Sequence, residues 1–81
     1  MAKFHINFRK GEIIEKDHAG IDLPSLAKAR EAALLSLREV LADNIHADSK
    51  TPVEAAIITD EMGRLLMTIP AKDVLPEPWK R

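Results

Sequence analysis

The sequence predicts an α+β domain of order ββαββ: two β-hairpins forming a mainly antiparallel four-stranded sheet, with one long amphipathic helix on one face. Three observations predict it. Phe4, Ile6 and Phe8 alternate with His5, Asn7 and Arg9, the period-two pattern of a half-buried strand. Leu26 to about Asn44 is a stretch rich in Ala, Leu, Arg, Lys and Glu, with no Gly or Pro, which forms helix readily. Asp60-Glu61-Met62-Gly63 separates two β-rich apolar runs in the manner of a hairpin turn.

After the first strand, Lys10-Gly11 supplies a residue that tolerates positive φ, and Glu12 to Lys16, centred on Ile13-Ile14, returns as the second strand. Asp17-His18-Ala19-Gly20 reads as a turn, because Asp can bond its own downstream backbone and Gly can take a left-handed conformation. Leu23-Pro24-Ser25 starts the helix: Pro24 keeps the preceding residue extended, and the Ser25 hydroxyl can accept an orphan N–H of the first turn. Leu26, Ala29, Ala33, Leu37, Val40, Leu41 and Ile45 recur at steps of three and four and form one apolar stripe. Asp48-Ser49-Lys50-Thr51-Pro52 is a loop cluster. Val53 to Thr59 is the third strand, Asp60 to Gly63 a type I turn with Gly63 left-handed, and Arg64 to Ile69 the fourth strand, stopped by Pro70. Residues 1–70 are therefore expected to form a single domain, and residues 71–81, with Pro76, Pro78 and Trp79, a C-terminal tail.

With 81 residues, the chain has room for one domain and buries only roughly 60% of the surface its unfolded form exposes. Small domains add disulfides, metals or self-association to such a core. The sequence has no cysteine, which removes disulfides and thiolate metal sites together and leaves self-association. Twelve Lys and Arg stand against thirteen Asp and Glu, so no bulk field of either sign draws in nucleic acid or an anionic membrane. Met1-Ala2-Lys3-Phe4 enters a strand pattern at once, without an apolar signal segment, and no apolar run approaches the roughly 20 residues that span a bilayer. A cytoplasmic protein with no membrane partner is the expectation, in keeping with the lack of cysteine.

A sheet covered on one face should alternate apolar and polar. Ile13-Ile14, Ala55-Ala56-Ile57-Ile58 and Leu65-Leu66-Met67 instead put apolar groups on both faces, and one helix covers only one of them. Ile14, Ala56, Ile58 and Leu66 are the candidate interface residues of a homodimer joined through the sheet. The competing expectation is that the tail folds back over this face with Val74, Leu75 and Trp79. Leu35, opposite the apolar stripe, could extend an interface.

Reactive constellations are few. His5, His18 and His46 lack the spacing of a helical metal pair, and the adjacent side chains of Asp17-His18 diverge. Ser and Thr stand in no nucleophile elbow, the three glycines are explained by turns, and the carboxylates are scattered. No catalytic residue, metal site or cofactor is expected, and the chain reads as a non-enzyme. Arg30 falls inside the apolar stripe between Leu26, Ala33 and Leu37; a structural ion pair with Asp17 or Asp60 is the expectation, against a stem lying over apolar groups with its head in water. The basic spots, Arg9-Lys10 and Lys80-Arg81, are short and lack interleaved aromatics, so nucleic acid is not an expected partner.

Phe4-His5, Gly11, Asp17-x-x-Gly20, Leu23-Pro24-x-Leu26, Ala29-Arg30 and Asp60-Glu61-x-Gly63-Arg64, with Leu66 and Pro70, together resemble a family of small bacterial proteins known only as a domain of unknown function. The resemblance covers about residues 3 to 70 and implies no activity, cofactor or partner. A further similarity is to the antitoxin half of bacterial toxin–antitoxin pairs, which has a small sheet and an Ala-rich helix. That half usually places three strands before the helix where two are counted here, and commonly adds a DNA-binding segment for which this chain has no room. The leading expectation is a non-catalytic homodimeric protein-interaction module presented to an unidentified protein partner. The alternative is a nucleic-acid-associated regulator or antitoxin-like partner protein.

Overall fold

Strand β1 (Ala2–Lys10) is the axis of the sheet in a computed structural model that describes residues 1–46 and 50–74. β2 (Ile13–Glu15) and β3 (Ile21–Leu23) follow one another along one side of β1, and β4 (Ala55–Asp60) runs along its other side. β5 (Leu65–Pro70) lies outside β4, and every pairing is antiparallel. Helix α1 (Leu26–His46) connects β3 to β4, and a short 3-10 turn, Ala71–Asp73, follows β5. The α+β, ββαββ-like plan is thus present, with five strands where four were expected. The added strand is β3. Ile21-Asp22-Leu23 is too short for its alternation to announce it; it is extended because Ala2, Lys3 and Phe4 pair with it from far along the chain.

Register settles which side chains meet the helix. Ile6 pairs with Ile58 and Phe8 with Ala56, and across β4 Ala56 pairs with Ile69 and Ile58 with Met67. Directly paired residues in a sheet share a face, so Phe4, Ile6, Phe8, Ala56, Ile58, Met67 and Ile69 form one surface. That surface packs on Ala29, Ala33, Leu37 and Leu41 of α1, with Val53 and Ala71 closing the ends. Alanines on both sides, Ala29 and Ala33 against Ala56, let the helix lie close to the sheet while Leu37 and Ile58 fill the centre, both fully buried.

This parity corrects the expected interface. Ala56 and Ile58 are in the core beneath α1, while Ile14 and Leu66 are exposed. The apolar runs hid the register: a run that is apolar at every position does not reveal which alternate residues face inward, and a shift of one residue exchanges the faces. Ala55 and Ile57 are the members of the β4 run that face away from the helix, paired with Arg9 and Asn7.

Arg30 is also corrected. It is exposed, and among the described residues neither Asp17 nor Asp60 pairs with it: Asp60 binds Arg64, and Asp17 binds backbone amides. The buried helical residues Ala29, Ala33, Leu37 and Leu41 step by four, a ridge inclined to the helix axis. Near the N-terminus the contact is centred on Ala29, and Arg30, about 100° further round, lies beside it rather than under it. Arg30→Met is therefore expected to change stability by no more than about 0.5 kcal/mol; a chemical-denaturation midpoint showing a loss of several kcal/mol would contradict this placement. The same drift leaves Ile45 exposed at the other end of the stripe.

The ends of α1 are held as the sequence suggests at the start and by a different device at the finish. The Ser25 hydroxyl accepts the Lys28 N–H at 3.2 Å, and its carbonyl accepts the Ala29 N–H at 3.1 Å. In the last turn the Asn44 side-chain oxygen accepts the N–H of Val53 at 2.9 Å, tying the helix end to the chain entering β4. Leu75, Trp79, Lys80 and Arg81 lie outside the described residues; Val74 packs against the core.

Candidate functional site

The face of the sheet turned away from α1 is where polar and apolar groups meet. His5 and Asn7 of β1 and Ile57 and Thr59 of β4 project from it, paired as His5 with Thr59 and Asn7 with Ile57. Between β2 and β3 the chain leaves the edge of β1 and folds over this face, and the turn of the β4–β5 hairpin rises on the other side. Together they border an open concavity of about 390 Å³ lined by Asn7, Ile57 and Thr59 of the sheet and by Lys16, His18 and Glu61 of the two turns.

A polar clasp holds the β2–β3 loop in place. Asn7, the one buried polar side chain among the described residues, donates through Nδ2 to the Ile57 carbonyl at 3.0 Å and the Thr59 hydroxyl at 3.2 Å. Its Oδ1 accepts the Asp17 N–H at 2.9 Å. The Asp17 carboxylate then works in two directions. Oδ1 accepts the N–H groups of Ala19 and Gly20 at 3.2 and 3.0 Å, closing the turn on itself. Oδ2 accepts the Ile6 N–H at 3.3 Å, at the one stretch of β1 where neither β2 nor β3 reaches it. Without that carboxylate a strand amide would face a gap in the sheet.

His5 completes the clasp. Its Nδ1 lies 2.6 Å from the Asp17 carbonyl oxygen. A carbonyl only accepts, so Nδ1 carries a proton and donates. Gly20, at φ +75°, allows the close approach: a Cβ there would stand 2.9 Å from Lys3 Cγ and 3.0 Å from His5 Cε1. Burial pushes the Asp17 carboxyl up, and the amides of Gly20, Ile6 and Ala19, with the His5 charge, outweigh it and hold the group below its ordinary value.

The opposite rim is built in the same way. Asp60 accepts the amides of Met62 and Arg64 at 2.8 and 2.9 Å, and the Arg64 guanidinium at 2.8 Å, around a turn in which Gly63 is at φ +80°. The Arg64 amide, against some desolvation, and the Arg64 side chain and Met62 amide hold this carboxyl low as well. Both its oxygens are thus occupied by its own hairpin.

His5 and His18 line the same concavity, although no set of three or more His, Cys, Asp or Glu side chains that could hold a metal ion converges among the described residues. No helix of the described chain is long and apolar enough to cross a membrane. The basic hairpin tip is neutralised locally, Arg9 at 3.7 Å from Glu54 and Lys10 paired with Glu15. What the far face and its borders offer instead is apolar surface. Ile14 is exposed opposite Arg9, and Leu65, paired with Thr59 on this face, is 65% exposed. Between Ile58 and Thr59 the register shifts, which leaves Leu66 without a partner and 38% exposed. Of the four residues expected at an interface, Ile14 and Leu66 are available and Ala56 and Ile58 are not. Leu65 was missed, because only the register shift shows that it shares a face with Thr59.

The family described as Domain of unknown function (DUF6894) matches residues 3–72, nearly the whole described chain. No curated protein and no solved structure matches.

Proposed function

We propose that the chain, which belongs to the DUF6894 family, is a non-catalytic protein-interaction module of a bacterial cytoplasm that works as a homodimer. The observation that supports this reading is the apolar surface left on β5, where Leu65 and Leu66 are exposed on a strand with no charged side chain. Isolated exposed leucines are ordinary on small proteins, but a neutral strand at a sheet border is a template for another strand. The polar groups of the far face are engaged with one another rather than poised on a substrate: Asn7, Asp17, His5 and Thr59 satisfy each other and the backbone. The cysteine-free composition suits a reducing compartment. Light scattering on the purified chain tests the homodimer, with a mass of two chains at tens of micromolar expected; a single-chain mass there removes it.

One observation favours a second reading, the antitoxin-like partner protein. With β3 counted, three strands precede the helix, which is the number that resemblance calls for. Co-expression with the product of an adjacent reading frame distinguishes the two: a stoichiometric complex with it supports the antitoxin-like reading, and homodimers formed in its presence support the first.

A further inference from the structure

The two borders of the sheet differ in how much of their backbone is spoken for. On the β1 side, two short strands, a charged loop and the Asp17 carboxylate occupy the edge, the last of them taking the Ile6 amide. On the β5 side no described strand lies beyond.

Which β5 groups point outward follows from the strand registers and two independent bonds. Ile6 donates toward Asp17 on the β2–β3 side of β1, so its neighbour Asn7 directs its backbone toward β4 and meets Ile57. Ala56 and Ile58, one residue on either side, then turn toward β5 and exchange bonds with Ile69 and Met67. The Ala71 N–H donating to the Glu54 carbonyl at 2.7 Å gives the same parity from the other end. Thr68, between Ile69 and Met67, therefore directs both its N–H and its C=O away from the sheet. Pro70, the next outward position, offers a carbonyl and no N–H.

We infer that the β5 edge is the pairing surface of the homodimer, with a second copy of this chain adding its own β5 antiparallel to the first, so that the two sheets become one. This rests on the self-pairing reading given above. Several observations select a second copy as the occupant. Leu65 to Pro70 carries no charge, so antiparallel copies set no like charges opposite each other along the strand, and Leu65 and Leu66 of one copy gain apolar cover from the other. The register shift at one end and Pro70 at the other confine pairing to a few residues around Thr68, a length that an identical strand matches and that discourages open-ended stacking. A two-fold axis also suits the bonding groups, since a residue offering one outward N–H and one outward C=O is its own complement.

Residue-resolved amide exchange on the intact chain, read beside light scattering, is the test. Under conditions where the mass is that of a dimer, the Thr68 amide is expected to exchange slower by on the order of tenfold or more than in dilute monomer. Thr68→Pro, which removes an N–H the chain's own ladder does not use, and Leu66→Lys, which places a charge on the edge, are both expected to shift the mass to one chain with an unchanged circular-dichroism spectrum. A dimer whose Thr68 amide exchanges freely overturns the β5 geometry and leaves self-pairing standing. A monomer at tens of micromolar overturns both. Protection of Thr68 that persists on dilution to monomer means the chain covers this edge itself, and overturns the inference.

Discussion

Ile58→Ala is expected to lower the free energy of unfolding by about 2–5 kcal/mol, the range for deleting a fully buried branched side chain from a core that cannot collapse around the gap. Ile58 is 0% exposed at the middle of β4, the strand between β1 and β5, and faces Leu37 and its neighbours on α1. An 81-residue domain has a total stability on the order of 4–12 kcal/mol, so this one change removes a large fraction of it. Ile58→Val, which leaves most of the side chain in place, is expected to cost about 0.5–1.5 kcal/mol. Leu66→Ala, on the exposed border strand, should move the folding of the single chain by no more than about 0.5 kcal/mol. Urea melts at one fixed protein concentration make the comparison, with unchanged m-values showing that the denatured state is the same in each variant. If Ile58→Ala and Leu66→Ala cost the same, the side chains of β4 do not alternate as the register places them, and the core is elsewhere.

That contrast marks the boundary between what the sequence disclosed and what it did not. The helix was legible because its signals are local: Ser25 as cap, a stretch free of Gly and Pro, and apolar steps of three and four. β1 was legible for the same reason, through strict alternation, and the Asp60–Gly63 turn through its residue types. β3 was not, since three residues are too few for their alternation to mark a strand, and they are extended by what they pair with. The facing of β4 was not either. Ala55 to Ile58 is apolar throughout, and its parity is set by Asn7 and Ile57 pairing across the chain, a relation between residues 50 apart. The clasp of His5, Asn7 and Asp17 was half visible: the Asp-x-x-Gly turn could be read, but not that the same carboxylate also fills a gap in a sheet formed elsewhere. Arg30 is the reverse case: it lies within the local periodicity but outside the contact with the sheet that gives the periodicity meaning.

Asp17→Ala is expected to cost about 2–4 kcal/mol, although the side chain is only half-buried and forms no ion pair with a described residue. Its three acceptor bonds are not equivalent. The Ile6 amide sits in the break between β2 and β3, and losing its acceptor leaves a strand N–H poorly supplied, worth about 1–3 kcal/mol. The Ala19 and Gly20 amides are nearer water, and their loss resembles that of a helix cap, about 1 kcal/mol. The main-chain N–H and C=O of Asp17 would still reach Asn7 and His5, which gives the variant a folded state to measure. The same group carries a pH signature of definite sign. Its folded pKa lies below the ordinary 3.8, so between the two values the unfolded chain binds the proton and the folded chain does not. The stability it contributes is therefore complete above the unfolded pKa and is lost as pH falls through the folded one. Wild type should steepen its decline below about pH 4 relative to Asp17→Asn, which keeps an acceptor oxygen and has nothing to titrate. Asp60, also held low, declines in parallel in both proteins, so the difference between the two curves isolates Asp17. Thermal melts from neutral to strongly acidic pH, compared pairwise, read it directly; curves that run parallel throughout would mean that the carboxylate does not hold the loop to β1.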